Sequence, residues 1–226
     1  MLERFKVPKE DEVRVAHDAL TETVSSIFEK MGTSAEDAAL GAEVLVATDL
    51  RGVETHGVSN MLRSYVEGYT QGTLNARPDM RIVRETPSTA NIDADRGLAV
   101  ILGPKAMQIA IDKAKNVGIG VVTMSNAGHS GAIGHHAMLA AEQGMVGVTM
   151  TSGGLLVVPT YGAEPRLGTN PIAFAAPAKS EPALLFDVAT SAVAGNKLRL
   201  AERVGADMLP GWIAGMDGDP VMEEVT

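Results

Sequence analysis

Along residues 10–31 apolar side chains recur at helical spacing (Ala16, Leu20, Val24, Ile27, Phe28, Met31) and Gly32 closes the run, which predicts an amphipathic helix. Ser34, with Asp37 three residues on, is a capping-box-like start for a second helix through Ala38, Ala42, Leu45 and Val46, down to Asp49. The pattern then breaks into a polar, glycine-punctuated segment, Asp49-Leu50-Arg51-Gly52-Val53-Glu54-Thr55-His56-Gly57. A third amphipathic stretch follows with Leu62, Tyr65, Val66 and Tyr69, and Ser59 is its first candidate cap. Gly72 and Pro78 end this helical region, so a boundary is expected near residue 76.

From Met80 the period changes. Met80–Glu85 and Thr89–Ala94 are short strand candidates around Pro87, expected as a hairpin or edge pair. A helix is expected over 104–117, with Pro104 in its first turn. Gly118–Ser125 is an apolar, β-branched run with the look of a strand buried on both faces. Its Gly/Ser/Asn-rich continuation leads into a helix over 131–143. Met145–Met150, Ile172–Ala176 and Ala183–Val188 complete the strands, and Asp217-Gly218-Asp219-Pro220 reads as a turn. Strands alternating with helices predict a mainly parallel or mixed sheet with helices packed on it. The sequence therefore divides into an N-terminal helical region, 1–76, and a mixed-sheet region, 77–226.

Composition narrows the classes. The formal net charge of −9, spread along the chain, argues against nucleic-acid and anionic-membrane partners, which need a basic patch. Zero cysteine removes disulfides, thiolate catalysis and Cys-based zinc sites. A charged N-terminus and the lack of any apolar run approaching ~18 residues predict neither signal peptide nor transmembrane helix, and place the chain in the cytoplasm.

Candidate chemistry sits in the polar breaks. His129, in Ser125-Asn126-Ala127-Gly128-His129-Ser130-Gly131-Ala132, occupies a loop at the C-terminal edge of a strand, where open α/β sheets place ligands. His135 and His136 are sequential and point to different helix faces, so they read as solvated side chains and no metal site is expected. His56 has Arg51 and Glu54 nearby; an arginine beside a histidine suits a carboxylate substrate, the guanidinium clamping the anion while the imidazole exchanges a proton. Asp187 ends a hydrophobic strand, and Gly153-Gly154 and Gly168-Thr169-Asn170-Pro171 are turns whose backbone N–H groups can approach a ligand. Neither a G-x-G-x-x-G nor a Walker sequence is present.

Four motifs in order, Asp49-Leu50-Arg51-Gly52-Val53-Glu54-Thr55-His56-Gly57-Val58, Ser125 to Ala132, Gly168-Thr169-Asn170-Pro171 and Phe186-Asp187-Val188-Ala189-Thr190, resemble the non-Rossmann malate/L-lactate dehydrogenase family. That family includes ureidoglycolate, sulfolactate and diketogulonate oxidoreductases and ketimine reductases. The resemblance implies an α/β fold of sulfolactate-dehydrogenase-like topology, in which 77–226 is the NAD(P)-binding domain. It also implies hydride transfer between NAD or NADP and a 2-hydroxy or 2-keto acid, in a homodimer. In that picture His56 is the acid/base, Arg51 the carboxylate partner and His129 lies by the cofactor, while Gly153, Asn170, Asp187, Val188 and Ala189 line the cofactor. Many members carry arginine four residues after the first histidine, where Asn60 stands here, so Arg51 or Arg63 substitutes or the substrate differs. Position 153 is often serine, here glycine beside Ser152. Members are also longer, with a lysine- and glycine-containing segment that this chain lacks. The expected alternative is therefore a truncated, catalytically inactive remnant that still dimerises.

Overall fold

The computed structural model describes residues 5–6 and 9–225. In chain order its elements are α1 (His17–Lys30), α2 (Ala35–Leu50), a 3₁₀ turn (Glu54–His56), α3 (Val58–Thr70), β1 (Arg81–Glu85), β2 (Thr89–Asp93), α4 (Ala99–Val117), β3 (Val121–Ser125), α5 (Gly134–Ala141), β4 (Gly147–Met150), β5 (Ile172–Ala176), β6 (Leu184–Val188) and α6 (Gly195–Val204). They form two compact units, each drawn from segments distant in sequence, and both units cut across the boundary expected near residue 76.

The larger unit comprises residues 15–149 and 173–187. Helices α1 to α3 bury Val24, Phe28, Leu45, Met61 and Tyr65 against the apolar start of α4 (Leu98, Val100, Ile101, Leu102). Each large side chain taken out of water there contributes on the order of 1.5–3 kcal/mol. Gly41 of α2 lets the elements close: a Cβ there would sit 3.0 Å from both Phe28 and Ile101. Ser34 caps α2 as its sequence predicts, accepting the Asp37 N–H at 3.1 Å. The hairpin is also present, β1 antiparallel to β2, and β3 joins β2 in parallel with Asp93 opposite Ser125. That register sets the end of β3, and so the loop carrying His129, beside the end of β2.

The second three-stranded sheet runs in the order β4-β5-β6. Its Ala173 and Ala175 pack under Ile133, Ala137 and Ala141, while Val148, Phe174, Leu184 and Phe186 remain exposed. The smaller unit comprises 150–172, 188–226 and the N-terminal stretch to Arg14. Its core is slight: Phe5, Leu200 and Ala201, with Phe5 stacked on Trp212 at 5.9 Å and Lys197 Nζ 4.5 Å from the Phe5 ring centre.

Several expectations need correction. The first helix begins at His17, because residues 10–16 have nothing to pack on and Val13 is exposed. Helix α4 begins at Ala99, so Pro104 lies inside it and not in its first turn; burial of Leu98 to Leu102 outweighs the lost hydrogen bond. β3 is an edge strand with one face open, Val121 being 47% exposed, and is not buried on both faces. The single predicted sheet is two small ones, and α6 stands where no helix was expected.

Candidate active site

His56 is held by a turn that α2 and α3 build together. The Asp49 carboxylate at the end of α2 accepts the Val58 N–H at 2.9 Å and so caps α3, the role expected of Ser59. A Cβ on Gly57 would overlap that carboxylate, which is why glycine follows the histidine. Asn60 donates its side-chain N–H to the Thr55 carbonyl at 2.9 Å, and the Thr55 hydroxyl meets His56 Nδ1 at 2.8 Å. Asn60 thus braces the turn.

His129 is fixed by fastening its loop along the start of α4. Asn126 enters the left-handed region (φ 54°), donates its side-chain N–H to Asp93 and accepts the Arg96 N–H on its carbonyl. The Gly128 N–H donates to the Gly97 carbonyl at 2.8 Å, and the Val100 N–H to the His129 carbonyl at 3.1 Å, satisfying a helix-start donor. A Cβ on Gly128 would come within 2.5 Å of Leu74.

These two segments, far apart in sequence, bring the imidazoles together. The His56 and His129 rings stack with centres 5.6 Å apart and planes 12° from parallel. The Tyr65 hydroxyl from α3 lies 2.8 Å from His129 Nδ1, and the Gly131 N–H donates to the same nitrogen at 3.2 Å. Burial pushes His56 down to about 4, with the neighbouring His129 adding to it; burial also pushes His129 down. Burial pushes the Tyr65 phenol up, with Tyr69 adding to it. Near pH 7 the site therefore holds two neutral imidazoles and one protonated phenol. Tyr65 reads in the sequence only as an apolar position of α3; the one available signal is that a buried tyrosine hydroxyl needs a partner.

Arg51 lines a cavity of about 240 Å³ whose wall also includes Thr48, Val53, His135 and Asp187. Burial, and after it Arg51, hold His135 down at about 4. Asp187 accepts the Gly134 N–H at 2.6 Å and so caps α5; burial raises its carboxyl and that bond partly offsets the rise. Its other oxygen has no hydrogen-bond partner among the described residues, an acceptor suited to a ribose hydroxyl or a carboxamide N–H.

In the smaller unit the Gly153 N–H donates to Asn170 Oδ1 at 3.2 Å, and the Asn170 carbonyl accepts from the Thr190 hydroxyl at 3.1 Å. Val188 and Ala189 begin the segment leading to Thr190. The structure thus groups His56 with His129, Arg51 with Asp187, and Gly153 with Asn170. His136 departs from its expected solvated role: it is 2% exposed, its ring laid against Gly103 of α4. No group of three or more metal-ligating side chains occurs among the described residues, and no helix there is long and apolar enough to cross a membrane.

The family described as malate/L-lactate dehydrogenase matches residues 15–223. Malate dehydrogenase of Pyrococcus horikoshii is 46% identical over 210 residues, covering 93% of this chain and 58% of that protein. Ureidoglycolate dehydrogenase (NAD(+)) of Escherichia coli K12 is 33% identical, covering 93% and 60%. The solved sulfolactate dehydrogenase of Methanocaldococcus jannaschii superposes with a TM-score of 0.84 at 37% identity, covering 92% of this chain and 60% of that one. The chain thus spans about three-fifths of the length of these relatives.

Proposed function

This chain belongs to the malate/L-lactate dehydrogenase family, and on that premise we propose that it exchanges a hydride between NAD or NADP and a 2-hydroxy or 2-keto acid. The observation that carries this reading is the His56–His129 stack, two imidazoles with centres 5.6 Å apart. His56 serves as the acid/base: as a neutral imidazole it takes the proton of the substrate hydroxyl during oxidation and returns it during reduction. With a pKa of about 4 it is by itself a weak base. A bound carboxylate brings a negative charge beside the pair and raises the pKa toward working pH. Arg51 is assigned to the substrate carboxylate and His129 to the cofactor side of the pair.

The nicotinamide ring, when bound, supplies or accepts the hydride. In the larger unit Asp187 is assigned to hold the dinucleotide; its oxygen without a hydrogen-bond partner among the described residues supports this assignment. Two further parts of the proposal are a homodimer, supported by the exposed apolar Phe174, Leu184 and Phe186, and a cytoplasmic location, supported by the cysteine-free composition.

The test is NADH and NADPH consumption, read as falling absorbance, with a panel of 2-keto acids. His56→Ala is expected to lower turnover by roughly 10²–10⁴-fold, the usual worth of a positioned acid/base, while cofactor affinity stays nearly intact. Unchanged turnover removes His56 from the mechanism. No consumption by folded protein, with either cofactor, favours the catalytically inactive reading.

A further inference from the structure

We propose that His136 is a positioning residue for His129, acting through the single peptide group that joins Ser130 to Gly131; this rests on the assignment of His129 to the reacting pair. The carbonyl of that peptide accepts from His136 Nε2 at 3.0 Å, and its N–H donates to His129 Nδ1 at 3.2 Å. One planar unit therefore links the two imidazoles, and a donor polarising its carbonyl strengthens its N–H as a donor in turn. Gly131 makes the geometry possible: its φ of 67° is one that side-chain-bearing residues rarely adopt.

The peptide decides what the phenol leaves open. The Tyr65 hydroxyl, 2.8 Å from His129 Nδ1, can donate or accept, so it fits either neutral form of the ring. A backbone N–H only donates. The Gly131 N–H therefore selects a bare Nδ1 and leaves the His129 proton on Nε2. By the same reasoning the Ser130 carbonyl, which only accepts, requires the His136 proton on Nε2.

His136 Nδ1 is then a buried acceptor with no hydrogen-bond partner among the described residues. An apolar ring of the same outline would fill the space without that orphaned nitrogen. The space itself is made for a ring at this point, since a Cβ on Gly103 would come 2.6 Å from His136 Nε2. What the imidazole adds over such a filler is the bond to Ser130, and through it the hold on His129.

The experiment is ¹⁵N–¹H correlation of the histidine rings in the full chain at pH 7, together with steady-state kinetics. Neutral, Nε2-protonated rings are expected for both His129 and His136; a proton on Nδ1 of His129 overturns the proposal without any variant. His136→Phe keeps the ring but drops the donor that holds and polarises the Ser130–Gly131 peptide, so the Gly131 N–H loses its grip on Nδ1 and His129 becomes a mixture of the two neutral forms. Its kcat falls roughly ten- to a hundredfold, a share of the ~10²–10⁴ that proton transfer contributes, with KM little changed. His136→Gln carries an amide nitrogen where Nε2 stood and restores both signals. An unchanged His129 spectrum in folded His136→Phe overturns the relay. If that variant does not fold, the same overturning result is a mixed His129 signal in His136→Gln. Should the spectra come out as expected while His129→Ala leaves turnover unaltered, the catalytic reading of the pair fails and the relay stands.

Discussion

At the scale of single residues, the histidines tie the site to stability. His56, His135 and His136 are each held down at about 4 from an ordinary value of 6.5, and burial is the leading cause for all three. An unfolded chain takes up these protons as the pH falls through 6.5, whereas the folded chain resists until near 4. Stability is therefore full above 6.5 and is lost as the pH drops through that window, at up to about 1.4 kcal/mol per pH unit for each histidine. Urea midpoints measured at pH 7 and pH 5 should differ clearly, with the lower value at pH 5. Equal midpoints would show that the three rings are hydrated in the folded protein. His135→Asn removes one titrating group on the Arg51 cavity and should flatten the dependence by a part, not abolish it.

Among the elements, the junction of α2 with α3 carries the most chemistry for its length. Asp49→Ala removes the carboxylate that caps Val58 and should cost about 0.5–2 kcal/mol, the range for a lost helix cap. Gly57→Ala is expected to be worse, because its Cβ claims the space of the Asp49 carboxylate and so displaces both the cap and the Thr55-His56 turn. Chemical denaturation gives the first effect, and the ring resonances of His56 report the second. A Gly57→Ala protein as stable as the parent would mean that the turn can shift freely.

The same junction shows what a reader of the sequence can and cannot see. Ser34 with Asp37, the β1–β2 hairpin and the periodic face of α3 are local patterns, and they fold as written. The start of α4 hides because Leu98 to Leu102 are apolar in succession and show no period, while Pro104 mimics a helix start. His136 looks solvated because its burial depends on Gly103, thirty-three positions earlier. Tyr65 and His129 meet across 64 residues, a pairing that no local spacing encodes. His56 and His129 were legible as reactive residue types in polar loops; their stacking was not.

The described residues form two units of unequal size, and one side chain can report on the core of the smaller. Trp212 is the only tryptophan, and it stacks on Phe5 in the unit whose buried residues are Phe5, Leu200 and Ala201. Helices α1 to α5 all belong to the larger unit, where Phe28, Leu45, Leu98 and Leu102 are fully enclosed. Buried apolar area sets most of the favourable free energy, at about 25 cal/mol per Å², so the smaller unit should open at lower denaturant. Tryptophan fluorescence then follows the smaller unit and helical circular dichroism mainly the larger one. Two distinct midpoints are expected in urea, fluorescence first, and Phe5→Ala should lower the first while leaving the second in place. Coincident transitions in the parent protein would mean that the units unfold as one cooperative body, and the division of the chain into separately stable parts would fail.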